Sequence, residues 1–344
     1  MASINLSLSL LFLSLFSACA AQSTTPPSSP YLSPENSLFS DYRKMLAAFR
    51  IYVYEPPKPF NFTTQAESTF YAALLNSQFV TKNPNEAHLF FLPFPADLSM
   101  RSLSRFVRGI RVNFPFWNRT LGADHFYLSP AGIAYASDRN LLELKKNSVQ
   151  ISSFPTISSS FIPHKDMTLP PAKPPTLFPH APVNGTVLFL GFMKRGGRDL
   201  YGLVEELASD PEFLVDSEPS DLSRSKFCLF IYGRDASWLG EALRVGCVPA
   251  VITDRPIQDL PLMDVLRWSE MAVFVGAGGG PGGVKAALSR IGGERYERMR
   301  GLGVAAGLHF VWNAEPQPYD AFHMVIYQLW LKRHSIRYVQ RAWI

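Results

Sequence analysis

Three cations and two glycines lie together in Phe192-Met193-Lys194-Arg195-Gly196-Gly197-Arg198, where an apolar run ends and a helical pattern begins. A turn of that kind suits an anionic ligand. Glycines let the backbone approach, a helix start favours negative charge, and Arg can grip phosphate oxygens with two donors. The same residues also describe a solvated basic turn. A second constellation follows the apolar run 227–231: Gly233, Arg234, Asp235 and Ser237, then Glu241 in the first turn of a helix that ends at Gly246. A carboxylate there is an acceptor suited to a vicinal diol such as a ribose, or it complements the helix dipole. Asp124-His125 opens a further apolar run, with His125 readable as a proton acceptor or as a core histidine. The other histidines show no metal-ligand spacing and no Asp-x-Asp occurs, so a metal-clamped donor is not expected.

The stretch Gly276-Ala277-Gly278-Gly279-Gly280-Pro281-Gly282-Gly283 contains a G-x-G-x-x-G match at Gly278, Gly280 and Gly283. A dinucleotide fingerprint also needs an acidic residue about 20 positions on, at a second strand end. Glu294 and Glu297 fall too early, so the reading here is a flexible surface insertion. A nucleotide-cofactor enzyme built on this run is the competing reading, and deletion of 277–282 separates the two.

The elements that must position these residues alternate. Strands are expected over 51–54, 87–92 and 124–128, with helices over 66–78 and 102–112 between them. A Pro- and Ser-rich connection fills 152–182. Strands are then expected over 187–192, 213–215, 227–231, 247–253 and 271–275, with helices over 199–208, 238–245, 284–291, 294–302 and 319–332. Alternation of this kind implies parallel sheets, here two α/β domains with a cleft between them.

The chain has 344 residues, of which 18% are charged and 47% hydrophobic, with a net charge of +5. That excess is too small for a dedicated nucleic-acid binder. Aromatic residues at 13% can bury a real core, which excludes disorder. No charged residue precedes Glu35, and residues 4–16 are rich in Leu, Ser and Phe before Ala18-Cys19-Ala20. This is a secretory signal peptide or an uncleaved type II signal anchor over 1–21. Either places the body in a lumen. Residues 22–47 read as a Ser/Thr/Pro-rich stem. Sequons at Asn61, Asn118 and Asn184 agree with glycosylation. Cys228 and Cys247 sit in apolar runs and read by default as buried free thiols, pairing only if their strands are neighbours.

Several short stretches, in this order, resemble the exostosin-like glycosyltransferases of family 47, most closely the plant members. They include Ile51-Tyr52-Val53-Tyr54, Asn85-Glu86-Ala87-His88 with Leu92-Pro93, Phe116-Trp117-Asn118-Arg119 and Gly122-Ala123-Asp124-His125-Phe126. Lys165-Asp166, Ser225-Lys226-Phe227-Cys228, Glu241-Ala242-Leu243, Gly246-Cys247-Val248-Pro249, Asp264-Val265-Leu266-Arg267-Trp268 and Tyr319-Asp320-Ala321-Phe322-His323-Met324 complete the set. The resemblance implies a GT-B fold: an acceptor-side Rossmann-like domain over 48–182 and a donor-side one over 183–344 that ends in a closing helix. It implies inverting, metal-independent transfer from a UDP-sugar to a cell-wall polysaccharide or glycan, with no cofactor. It also implies a Golgi single-pass type II membrane protein, and homo- or hetero-oligomers with related glycosyltransferases belong to the same expectation.

On this reading Lys194, Arg195, Arg198 and Arg234 hold the diphosphate, Ser237 belongs to the same loop, and Glu241 accepts from the ribose. Asp124, His125 and Asp166 are the candidate bases. One departure stands out. The family's Ser-x-Arg-x-x-Glu is shortened to Ser237-Trp238-Leu239-Gly240-Glu241, with Trp238 or Leu239 where Arg is expected. That change keeps a non-catalytic luminal relative, acting as a scaffold or partner subunit, as the alternative.

Overall fold

The computed structural model describes residues 29–156, 161–172, 187–195, 202–216 and 219–336. The signal or anchor over 1–21, Asn184 and Arg198 lie outside them.

The first half runs α1 (Glu35–Ala48), β1 (Ile51–Val53), α2 (Gln65–Leu75), β2 (Val80–Thr81), β3 (Leu89–Phe91), α3 (Met100–Asn113), α4 (Phe116–Thr120), β4 (His125–Leu128), α5 (Arg139–Asn147), β5 (Val149–Ser153) and β6 (Met167–Leu169). The second runs β7 (Phe189–Met193), α6 (Leu203–Ser209), β8 (Phe213–Val215), β9 (Ser225–Ile231), α7 (Leu239–Val245), β10 (Val248–Ile252), α8 (Trp268–Met271), β11 (Val273–Val275), α9 (Gly280–Ser289), α10 (Gly293–Gly307) and α11 (Ala321–Ile336). Two parallel sheets result, ordered β2-β1-β3-β4-β5-β6 and β11-β10-β9-β7-β8. This is the α/β arrangement of two doubly wound, Rossmann-like domains that defines the GT-B architecture.

In each sheet the strand order reverses once, between β1 and β3 in the first and between β7 and β9 in the second. Such switch points open a crevice beyond the carboxyl ends of the strands. The central strands are apolar on both faces, as β3, β4 and β10 show by being buried throughout. Close packing has a specific consequence at Gly191 in β7. A Cβ there would meet the Phe213 ring at 2.6 Å and Leu229 at 2.8 Å, so only glycine fits between β8 and β9.

The N-terminal boundary differs from the stem expected over 22–47. Leu38, Tyr42 and Met45 form the buried stripe of α1, spaced three and four apart. Tyr42 stacks on Tyr319 with centroids 4.1 Å apart, and its hydroxyl accepts from the Tyr319 amide. Upstream, Tyr31 bridges to Leu266, and the Leu32 amide donates to the Val265 carbonyl at 2.8 Å. The body therefore begins near residue 30. Ser, Thr and Pro dominate the composition around a helix whose core contribution is only three side chains, which hid it.

The closing helix α11 also packs where it was not expected. Trp330 lies edge-on to Phe49, and Phe322 lies against Phe70 and Phe79. It thus returns to the first domain, and one apolar core runs through both halves.

The cysteines are joined, which corrects the free-thiol reading. Cys228 on β9 and Cys247 just before β10 have Cα atoms 5.6 Å apart and form a disulfide. Parallel pairing of β9 with β10 makes them neighbours. The Gly-rich run is a helix start and no loose insertion. Ala277 and Gly278 donate their amides to Asp254 Oδ1 at 2.8 and 3.2 Å, and α9 follows directly. A carboxylate of the chain itself holds the amides that a phosphate would need.

Candidate functional site

Between the domains lies a cavity of about 190 Å³. Its first-domain wall is Thr64, Gln65 and Ala66 at the start of α2, with the strand-end segments Ser153-Phe154-Pro155 and Leu169-Pro170-Pro171-Ala172. Arg234, Asp235, Ala236 and Ser237 form its second-domain wall. All are at or beyond the carboxyl ends of strands, where the switch-point argument places a ligand. A narrow apolar slot lined by Phe230, Tyr232, Leu239 and Trp268 continues from it, sharing Phe154, Pro155, Arg234 and Ala236.

The loop that brings Arg234 there is built locally. β9 ends at Ile231, Gly233 adopts a φ of +87°, and the Arg234 amide donates back to the Ile231 carbonyl at 3.1 Å. A positive φ at that turn favours glycine. Asp235 Oδ1 then accepts from the Ser237 amide at 2.9 Å. The Arg234 side chain is half-buried and forms no hydrogen bond or ion pair among the described residues. A cation facing a polar cleft with no carboxylate of its own is suited to an anion.

The shortened loop has a physical explanation at Trp238. Its indole is buried, stacks on Phe230 at 4.0 Å, and meets Phe192 edge-on at 5.5 Å. Leu239 is buried too, so both positions where an Arg is expected are part of the core. Arg234 faces the cavity from the loop instead.

The remaining donor-side candidates are less central. The Lys194 ammonium lies 5.7 Å from the centre of the Trp238 ring, at the carboxyl end of β7. Arg195 is engaged by two carboxylates, Glu205 at 2.7 Å and Asp216 at 2.9 Å, and its amide donates to Asp216 as well. Glu241 is half-buried in the first turn of α7 and does not line the cavity. Asn61 and Asn118 are both exposed.

The three candidate bases are not brought to the cleft. Asp124, His125 and Asp166 stand at the amino ends of β4 and β6, the opposite edge of the sheet. Asp124 accepts from Thr120 Oγ1 at 2.6 Å, from Arg119 at 2.9 and 3.1 Å, and pairs with His125 Nδ1 at 2.7 Å. Burial pushes the Asp124 carboxyl up, but the His125 and Thr120 bonds and the Arg119 charge outweigh it and hold it below the usual range. His125 is fully buried against the rings of Tyr54, Phe90 and Trp117, with Nε2 3.2 Å from the Tyr54 hydroxyl. Asp166 is ion-paired with Lys145 and Lys165 and accepts from the Gln150 and Ile162 amides. These groups are satisfied core polars, and a base must reach a substrate proton.

Sequence reasoning passed over Thr64, which lines the cavity, and two buried carboxyls, Glu67 and Asp259. Thr64 and Glu67 carry the Thr-x-x-Glu signature of a helix start, which was available as a signal. Thr64 Oγ1 accepts from the Glu67 amide at 3.3 Å and donates to Glu67 Oε2 at 2.8 Å. Asp259 had no such signal. It lies in a loop after β10 and is 2% exposed. Among the described residues, no group of three or more His, Cys, Asp or Glu is placed to hold a metal ion.

The exostosin GT47 domain matches residues 45–280. A probable glycosyltransferase of Arabidopsis thaliana is 29% identical over 92% of this chain and 74% of its own length. A probable glucuronosyltransferase of Oryza sativa subsp. japonica is 30% identical over 80% of this chain and 75% of its own. A probable beta-1,4-xylosyltransferase of Arabidopsis thaliana is 28% identical over 80% of each. Among solved structures, AviGT4, a glycosyltransferase involved in avilamycin A biosynthesis, aligns at a TM-score of 0.36 with 12% identity over 85% of this chain and 98% of its own, too loose a likeness to bear on function. With the family domain spanning 45–280 and both of its α/β halves present, the chain belongs to the exostosin GT47 glycosyltransferases, as a plant-type member.

Proposed function

We propose that the interdomain cleft transfers a sugar from a UDP-sugar to a polysaccharide or glycan acceptor, with inversion at the anomeric carbon and without a metal. The observation that carries this reading is Arg234. It stands at the β7/β9 switch point, faces the cavity, and has no carboxylate partner among the described residues. A charge there stabilises the negative charge that develops on a leaving diphosphate. Ser237 contributes a hydroxyl on the same wall, and Lys194 adds positive charge nearby. The opposite wall, from Thr64 to Ala66 and from Ser153 to Pro155, is left for the acceptor.

The same reading places the protein in the Golgi lumen, held by its N-terminus, and gives it a cell-wall polysaccharide as acceptor. A disulfide between Cys228 and Cys247 supports an oxidising compartment. No helix among the described residues is long and apolar enough to cross a membrane. The test is UDP binding by the purified luminal body, followed by UDP release from UDP-xylose, UDP-glucuronic acid, UDP-galactose and UDP-arabinose, with linkage analysis of products. Binding of UDP with turnover of one sugar supports the reading. Neither binding nor turnover favours a scaffold or partner subunit.

A further inference from the structure

Inverting transfer needs a group that takes the acceptor's proton, and the carboxylates first considered for it lie at the far edge of the sheet. At the cleft itself one buried carboxyl stands out. Glu67 is 0% exposed, in the first turn of α2, directly behind the wall formed by Thr64, Gln65 and Ala66. Its Oε2 accepts from Thr64 Oγ1 at 2.8 Å, while its Oε1 is buried without a hydrogen-bond partner. Unsatisfied carboxylate oxygens in a core are costly, so one placed beside a cleft calls for a reason. Thr64 is half-buried and lines the cavity opposite Arg234 and Ser237.

Burial pushes Glu67 up to about 7, opposed only by the Thr64 hydroxyl and the Thr64 backbone; no charged side chain from any neighbouring element contributes to the shift. General bases work best when their pKa lies near the operating pH.

We propose that Thr64 and Glu67 are the proton-accepting pair of the transfer reaction, with Thr64 touching the acceptor hydroxyl and Glu67 acting through it. The inference rests on the cleft being the transfer site. As the acceptor oxygen bonds to the anomeric carbon, the bond from that carbon to the diphosphate oxygen breaks, and its electron pair leaves with UDP. The acceptor's proton passes to Thr64 Oγ1 while the threonine's own proton passes to Glu67 Oε2. Glu67 begins as a carboxylate, ends neutral, and returns its proton to solvent before the next turnover.

The experiment compares wild type with Glu67→Gln, Thr64→Val, Thr64→Ser and Arg234→Ala. UDP affinity is measured by calorimetry, and kcat by UDP release from the sugar donor that wild type turns over. Glu67→Gln and Thr64→Val are expected to lose about 10²-fold or more in kcat. Their UDP Kd should stay within about twofold, and Thr64→Ser should keep most of the rate. In wild type log kcat should fall on the acid side of about pH 7, and that limb should vanish from the residual activity of Glu67→Gln. A merely structural glutamate would lower the active fraction yet leave the limb in place, so its persistence in Glu67→Gln overturns the proposal. Near-wild-type kcat in Glu67→Gln, with UDP binding weakened in Arg234→Ala, overturns the proton role alone. Unchanged UDP affinity in Arg234→Ala removes the cleft reading and the proposal with it.

Discussion

Thr156 Oγ1 donates to Asp259 Oδ2 at 2.5 Å, across the junction between the two domains. The Thr156 amide reaches the same oxygen at 2.7 Å, and the Tyr232 hydroxyl donates to Oδ1 at 2.7 Å. Thr168, at the end of the first sheet, donates to the Asp259 carbonyl at 2.7 Å. The Asp259 carboxylate thus ties the segment after β5 to the loop after β9, and its backbone carbonyl holds β6. Removing the carboxylate leaves three donors unpaired. Asp259→Ala should cost about 3 kcal/mol of unfolding free energy, and urea titration against wild type measures it. Tyr232, pushed up to about 12 by burial and by the Asp259 carboxylate, stays neutral and donating at any working pH.

The disulfide closes a ring around the segment that carries Arg234, Ser237 and Glu241. Cys228→Ser with Cys247→Ser should destabilise the body by about 3 kcal/mol, the usual scale for a ring of this length. Thermal unfolding with and without dithiothreitol checks it. Reductant should lower the wild-type transition and leave the double variant where it is.

Arg234 and Arg195 should separate in UDP binding. Arg234→Ala removes a charge-assisted contact of about 1.5–3 kcal/mol, which is about a tenfold to hundredfold rise in UDP Kd. Arg195 is partly exposed and already engages Glu205 and Asp216, so Arg195→Ala should change the Kd by less than about threefold. Calorimetry on both variants decides. A larger loss at Arg195 would move the diphosphate toward the end of β7.

Stability should peak in mild acid. Glu67 is raised from 4.5 to about 7 in the folded state, so it favours folding while protonated. That contribution is present below the unfolded value and is lost as pH rises toward the folded one, about 3 kcal/mol in all. Asp124 and Asp320 are held below their usual range, so their contribution is present above about pH 4 and lost as pH falls through the folded values. Urea midpoints between pH 3 and 8 should therefore be highest near pH 5. Glu67→Gln should flatten the alkaline side and be more stable than wild type at pH 8, and Asp124→Asn should flatten the acid side.

Asp124→Asn and His125→Phe should act on folding and leave chemistry alone. Both groups sit in the core with Thr120, Arg119 and Tyr54 as partners. A loss of about 2–3 kcal/mol is expected in each, with kcat of the folded fraction close to wild type. Active-site titration with UDP, used to normalise the rate, distinguishes this from a catalytic loss.

Periodicity and apolar runs determined much of this protein by themselves. Runs such as Phe227 to Ile231 and Cys247 to Ile252 have no solvent face to alternate with, so they announce buried parallel strands. Ordered short motifs then indicated the family, and a Gly-Arg-Asp loop between strand and helix singled out Arg234. Tertiary structure decided which polar residues share a place. Asp124, His125 and Asp166 look reactive in a linear reading, yet parallel strands put residues that precede a strand at the edge opposite the cleft. Thr64 and Glu67 look like an ordinary helix cap, yet the packing of α2 against the domain junction sets Thr64 at the cavity wall with Glu67 buried behind it. The half-pairing of Glu67 also depends on where other chain segments leave it without a donor, and no local pattern encodes that. Cys228 and Cys247 differ in the same way: nineteen residues apart in sequence, they meet only because β9 and β10 are adjacent in the sheet.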